Sequence, residues 1–562
     1  VSTPLAVAAD VAALTVAGAL PAWRMAGWRP VTIFLAPCTG MVLAGLAGMA
    51  TVLVAAEPLR WFVPLAIAAN AAALGSLVAH REQRWQHGSA SGRPQGGRAT
   101  VVAGALGVAA VAGAVGWCLR ALIRPEIGFD ARTIWLLHAT WLADGHAAAR
   151  HALGDPALPF AHSSYPPLAP AVVAVGWIMT GTASDRIGQV VLGIATGCTV
   201  AAAAAAVVES GVVLGVRLRA RGRGVARSVV PSVLAIAAAA AWCLGAFGVA
   251  GAGATNGYVD LLWSAAAVAG AGYGLVLPVS AARMRAAAVL VAVAGLTKDE
   301  GTVAAVVLAA LMTARWWRHA RRARSGAGHA QPDAQRSGSG AHRGGERAGP
   351  AVAGVRPAGA WWGMAGIAAL VVWPVAVRIL GALPDPDRSG PRHGTLGSRA
   401  DATWHAMAAH LHLAGLALAV GVAATVVLGR FRRRTGLGAD AWLWVLGAVE
   451  VVAVGGFYVT GTIVIEFWLG TSVDRTTIFP QILGLAAVAW WGLVGVAAVL
   501  EPPARGGAPS VGVGPAGDRP TTGCPGAACS GTVPRRPGAM PLASPSASGL
   551  DERARSVLHP QP

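Results

Sequence analysis

Five short runs of this chain combine residue types able to move a proton or hold an anion. In Leu-Thr-Lys298-Asp299-Glu300-Gly, Lys298 is the only lysine among the 44 Lys and Arg residues, and apolar stretches flank the run. Every other basic residue is arginine, so compositional drift would turn an indifferent lysine into arginine. The lysine ammonium has a chemistry of its own, being a compact charge that contacts phosphate at one point. Ionisable groups inside membrane-spanning sequence are costly, which makes this triplet a functional candidate. The other runs hold Glu126, Asp130 and Arg132; His162 and Tyr165; Tyr258 and Asp260; and Asp474 with Arg475. A carboxylate can take a proton from a hydroxyl, and cations can stabilise an oxyanion that leaves.

Each run also has a purely structural reading. Lys298 with Asp299 or Glu300 makes a self-compensating turn between helices. Asp260 follows an aromatic at a helix start, where capping is a sufficient reason for an acid. Asp474 and Arg475 can pair as neighbours and cap a helix starting near Thr476, where the acid suits the dipole. Tyr165 fits an interfacial aromatic, and a His162 ahead of a double proline fits an ordinary loop. Ile134, Leu137, His138 and Trp141 recur at helical spacing, which predicts an interfacial helix with an aromatic anchor.

The elements that would position these residues are membrane helices. Of the 562 residues 55% are hydrophobic and 12% charged, and the mean hydropathy is +0.57. That composition describes an all-α polytopic membrane protein. A formal charge of +19 suggests nucleic acid, but the arginines cluster between apolar stretches without aromatic interleaving, which excludes that partner and favours anionic membrane lipids. Cys38, Cys118, Cys198 and Cys243 lie in apolar stretches as small hydrophobes. Cys524 and Cys529, five apart in a Pro/Gly-rich tail without histidine, make a weak zinc motif. Residues 5–20 read as a retained first helix rather than a signal peptide.

Apolar segments long enough to span cover 5–20, 31–56, 61–79, 101–123, 187–208, 229–250, 258–279, 361–380, 411–428, 441–465 and 478–500. Residues 286–314 are long enough for one helix, but a single crossing would put Arg283 and Arg285 on the opposite side from the basic run 315–347. Two short crossings put both inside, as the positive-inside rule requires. Lys298, Asp299 and Glu300 then sit at a turn recessed below the outer surface. About 13 transmembrane helices result, with 166–181 as a further short or re-entrant element. Residues 1–100 form N-terminal helices and a basic loop, and 101–500 a catalytic region containing an outer loop at 124–165 and a cytoplasmic basic loop at 315–358. Residues 501–562 are expected to be a disordered cytoplasmic tail.

In order along the chain, Gly-Phe-Asp130-Ala-Arg132-Thr-Ile-Trp135, Tyr165-Pro-Pro-Leu168, Gly257-Tyr258-Val-Asp260, Leu-Thr-Lys298-Asp-Glu300-Gly and Thr-Ser472-Val-Asp474-Arg475 form an arrangement. It resembles integral-membrane glycosyltransferases of the GT-C superfamily, particularly the bacterial dolichyl-phosphate-mannose-protein-mannosyltransferase-like group. The resemblance runs from Phe129 to about Leu485. It implies a GT-C-like fold in the plasma membrane, with an outward-facing site that takes a sugar from a polyprenyl-phosphate donor. The acceptor would be a cell-envelope glycan, lipid or protein. Two departures stand out: the paired acids often seen in that loop are represented by Asp130, with Glu126 four residues away, and three extra helices precede the loop.

Chemistry then divides the labour, with Asp130 as the base and Lys298 and Arg475 holding the phosphate. Asp299, Glu300 and Asp474 tune those cations or bind sugar hydroxyls, and Arg132, His162, Tyr165 and Asp260 complete the candidate substrate site. Glu126, Asp130 and a donor phosphate are the only hint of a Mg²⁺ or Mn²⁺ ion, too thin an oxygen set to assign one. The alternative functions are a secondary transporter or lipid-carrier flippase, and an inactive membrane scaffold. Transporters often show matching interrupted helices in repeated halves, and Thr297 to Gly301 has no counterpart at a regular offset.

Overall fold

The computed structural model describes residues 2–500 except 28, 30, 87–97, 124–125, 159–160, 222, 329–370, 384–390, 436 and 438–439. The tail and its two cysteines lie outside the described residues, as do much of the basic loop and the first half of 361–380. All regular structure among the described residues is helical. The first four helices are α1 (Thr3–Ala26), α2 (Val31–Leu53), α3 (Pro58–Gln86) and α4 (Arg98–Leu122). A π-helical segment, Ala131–Leu136, leads into α5 (Leu137–Ala143), followed by α6 (His146–Leu153) and α7 (Leu168–Thr180). Then come α8 (Asp185–Ala220), α9 (Val225–Ala250), α10 (Asp260–Ala271), α11 (Ala281–Gly295) and α12 (Asp299–Gly328). The chain closes with α13 (Leu396–His410), α14 (His412–Thr435), α15 (Asp440–Thr460), α16 (Ile465–Thr476) and α17 (Ile478–Leu500).

Eight helices among the described residues are long and apolar enough to cross a membrane, or nine if α13 and α14, bent by 71°, make one span. The expected count of thirteen is therefore not reached by length and composition. Two segments account for much of the difference. Residues 258–279 fold as a shorter apolar unit, Asp260–Val276, which turns π-helical before Pro278. A residue ahead of proline avoids the α region, and Leu277 is extended. The segment 286–314 divides between α11 and α12 with Lys298 in the break, as parity required. At 1.5 Å per residue, the 15-residue α11 is about 22 Å long, short of a bilayer core of about 30 Å.

Charge separates the two ends of the bundle. At one end Glu209 of α8 pairs with Arg29 at 2.6 Å and with Arg283 of α11 at 2.9 Å. Arg315 of α12 donates to the Gly274 and Leu277 carbonyls, and Arg283 to that of Pro278. These arginines satisfy carbonyls that lose helical partners where the π turn stops. Arg283 and Arg315 thus meet on one short segment, so α11 and α12 form a hairpin that leaves and returns to the same end. Residues 166–181 form only the 13-residue α7, whose Leu168 N–H donates 2.9 Å to the Leu296 carbonyl just before Lys298.

Small residues let the first helices touch backbone to backbone, the packing mode that membrane interiors favour. A Cβ on Gly40 of α2 would fall 2.0 Å from the Leu14 carbonyl oxygen of α1, and one on Gly18 2.0 Å from that of Ala36. On Gly113 of α4 it would meet nothing within 4 Å. Gly40→Leu should therefore lower the unfolding temperature in detergent by at least about 5 °C, while Gly113→Leu leaves it within about 1 °C. Fluorescence-monitored thermal unfolding of the two variants checks this.

Candidate functional site

The site begins with a break in a helix. α11 ends at Gly295, Lys298 stands in the connection, and α12 restarts at Asp299. The hairpin is tight because residue 301 is glycine: a Cβ there would lie 2.2 Å from the Ala294 carbonyl oxygen. Thr302 Oγ1 donates 2.7 Å to the Gly295 carbonyl, closing the turn. Lys298 is buried, and its Nζ donates to Asp260 Oδ1 at 2.8 Å and pairs with Glu300 Oε1 at 3.1 Å. Asp260 is the first residue of α10, with Val259 at the N-cap position, and its carboxylate accepts from the lysine. Its place at a helix start is therefore joined to an ion pair that the capping reading did not include.

Arg475, in the last turn of α16, brings the segment between α4 and α7 to the same place. Its guanidinium donates to Asp130 Oδ2 and to the Thr471 carbonyl, and lies 4.7 Å from the Tyr258 ring centre. The loop is held in register by backbone: Gly128 N–H donates 2.9 Å to Asn256 O. Gln189 of α8 donates to both the Glu126 and Thr255 carbonyls. Gly128 has no room for a side chain, since a Cβ would sit 2.4 Å from the Tyr258 ring. Asp474 is not the partner of Arg475 through its side chain; Oδ1 accepts the Arg475 backbone N–H at 2.8 Å, and Asp474 is exposed. The neighbouring ion pair that adjacency allows is replaced by a bond across 345 residues.

Arg399 secures the remaining wall. This side chain on α13 is fully buried, and it donates to the carbonyls of His393, Tyr458, Val459 and Ile463. The chain leaving α15 is thus held where the Tyr458 hydroxyl meets Ser472 Oγ at 2.7 Å and Thr476 Oγ1 at 2.9 Å, on either side of Arg475. On the opposite wall His162, with φ of 49°, stacks on Tyr165 at 4.8 Å, and Tyr165 on Trp135 at 5.6 Å.

These walls enclose a cavity of about 70 Å³. Seven of the ten residues singled out in the sequence line it: Asp130, His162, Tyr165, Asp260, Lys298, Glu300 and Arg475. Asp299 instead lines an adjoining chamber, while Asp474 and the exposed Arg132 line neither. Tyr258, Tyr458, Ser472, Thr476 and Glu450 were not singled out as site residues. Tyr258 stood inside the Gly-Tyr-Val-Asp run, and Glu450 is a lone acid in an apolar segment, a signal of its own.

Lys298 uses two of its three donors on Asp260 and Glu300, and Arg475 has five in its fork, so both retain capacity for an anion. The donor set does not fit a resident Mg²⁺ or Mn²⁺: no three His, Cys, Asp or Glu side chains converge among the described residues. Asp130 is taken by Arg475, and Glu126 is exposed. Comparison with protein-family models, curated proteins and solved structures finds no match.

The predicted interfacial stripe is in fact packed inward, with Ile134 and His138 both buried. His138 Nε2–H donates 2.7 Å to the Ala161 carbonyl, beside His162. Burial pushes the imidazole down from 6.5 to about 4, the Ala161 carbonyl offsets part of that, and His162 adds to the lowering. The unfolded chain therefore binds a proton that the folded chain refuses between about 6.5 and 4. Its stabilising contribution is whole above 6.5 and is lost as pH falls towards 4. The unfolding temperature should fall as pH is lowered across that window, and His138→Phe should flatten the dependence.

Arg399→Met leaves the Tyr458, Val459 and Ile463 carbonyls, buried or partly buried, without their donor and should cost roughly 3 kcal/mol. Arg399→Lys should not restore the loss, because one ammonium cannot reproduce the fork. Thermal unfolding of both variants measures it.

Proposed function

We propose that this chain is a membrane glycosyltransferase that moves a sugar from a polyprenyl-phosphate donor to a cell-envelope acceptor at the outer face. The observation that carries this reading is the cavity in which Lys298 and Arg475 stand beside Asp130 and Asp260. It lies at the end of α11 and α12 opposite the cluster of Arg29, Arg283 and Arg315. By the positive-inside rule that arginine-rich end is cytoplasmic, so the cavity faces outward.

In the reaction proposed, an acceptor hydroxyl attacks the anomeric carbon, the bond from that carbon to the phosphate oxygen breaks, and the phosphate leaves on the carrier. Lys298 and Arg475 stabilise the charge that builds on the leaving oxygen. Asp130 takes the acceptor proton. Asp130 is occupied by Arg475, and the pair supplies its own release. A phosphate entering the cavity competes for Arg475 and releases Asp130 as it does so, which ties activation of the base to donor binding.

A secondary transporter is the second reading, favoured by one observation: the start of α7 and the break between α11 and α12 meet through the Leu168 and Leu296 backbones. Broken helices that converge inside a bundle are a transporter feature. Carrier flux in proteoliposomes without any glycosylated product would favour it.

Transfer from a radiolabelled polyprenyl-phosphate sugar tests the enzyme reading. Asp130→Asn should slow transfer by about 10² or more, and Lys298→Ala should reduce both donor binding and rate. Normal rates in folded variants would refute these roles.

A further inference from the structure

Beside the Lys298 cavity lies a second chamber of about 90 Å³, sharing Tyr165, Glu300, Phe457 and Thr476 with it. Its distinguishing wall is α15, which contributes Glu450. That side chain is only 1% exposed, and neither carboxylate oxygen has a hydrogen-bond partner among the described residues. Glu300 adds a third orphan oxygen, since Oε1 faces Lys298 and Oε2 has no partner. Asp299 lines the same chamber.

Buried carboxylate oxygens without donors are costly, and this chamber holds three. Carboxylates outnumber the nearby cation, because Lys298 already serves both Asp260 and Glu300. Tyr165 and Phe457 complete the lining without adding a charge. A ligand rich in donors and positive in charge matches both the orphan oxygens and the excess of carboxylates. A protonated amine has three N–H donors and no acceptor; a neutral hydroxyl offers one donor and leaves the charge unanswered.

We propose that this chamber binds a protonated amine carried by the substrate, with Glu450 as its principal partner. The amine would be held next to the pair that receives the phosphate. The identity of the rest of the ligand rests on the glycosyl-transfer reading, whereas the amine preference rests on the chamber alone.

Two carriers that differ by one group provide the test: decaprenyl phosphate bearing glucosamine and the same lipid bearing glucose, with bare decaprenyl phosphate as reference. Full-length protein in nanodiscs should bind the glucosamine carrier at least tenfold more tightly than the glucose carrier. Glu450→Gln, nearly isosteric, should abolish that preference while leaving the glucose carrier and bare lipid unchanged. Lys298→Ala should weaken all three together. Equal binding of the two sugars by the wild type, which is the result for a neutral polyol site, would overturn the proposal. So would a preference that survives in Glu450→Gln. If no carrier binds at all, the phosphate reading fails by itself. The chamber is then decided by saturation-transfer NMR with free glucosamine against free glucose, where an amine-selective signal lost in Glu450→Gln upholds it and equal signals refute it.

Discussion

A charge removed from water must find its opposite, and in a helical bundle of low dielectric that requirement is strict. Lys298 meets it with Asp260, 38 residues earlier, and with Glu300 on the next helix. Arg475 meets it with Asp130, 345 residues away. These pairs do more than neutralise. Each ties together elements that no local preference would bring into contact, so the start of α10, the break before α12, the end of α16 and the segment carrying Asp130 converge on one cavity. Removing one partner would leave the other charge stranded, which is why the site and the packing around it stand or fall together.

The same constraint acts at the other end of the bundle with different residues. There Glu209 is shared by Arg29 and Arg283, while Arg315 and Arg283 bond carbonyls released at the end of the π turn. Helices α11 and α12 run between the two polar ends. Because α11 is too short for a full bilayer crossing, the Lys298 turn stays inside the bundle rather than at its surface. Arg399 solves a related problem without any acid, by giving its fork to four carbonyls. That bond set determines where Tyr458, Ser472 and Thr476 stand around Arg475.

Much of this was legible in the residues. Apolar runs gave the helical class, and arginine parity divided 286–314 into a hairpin with Lys298 at its turn. Asp130, Tyr165, Asp260, Lys298, Glu300 and Arg475 were singled out by type and by side, and they share a cavity. Partner choice was not legible, because Asp474 adjoins Arg475 in sequence while the guanidinium reaches Asp130 in space. Asp260 carried the same ambiguity, since a cap and an ion pair place an acid at the same helix position. The number of helices that cross was legible only coarsely, since hydropathy registers how apolar a segment is, and Asp260–Val276 is apolar yet short and surrounded by protein. Arg399 gave no signal, as one arginine among many reveals nothing about carbonyls that only folding assembles.

In the function proposed, Lys298 and Arg475 receive a phosphate whose arrival frees Asp130. Cryo-electron microscopy of the protein in nanodiscs with decaprenyl phosphate addresses it directly. The expected result is phosphate density within hydrogen-bond distance of Lys298 Nζ and the Arg475 guanidinium, with Asp130 no longer bonded to Arg475. Phosphate density at the Arg29 and Arg283 end, or an occupied cavity with the bond between Asp130 and Arg475 intact, would contradict it.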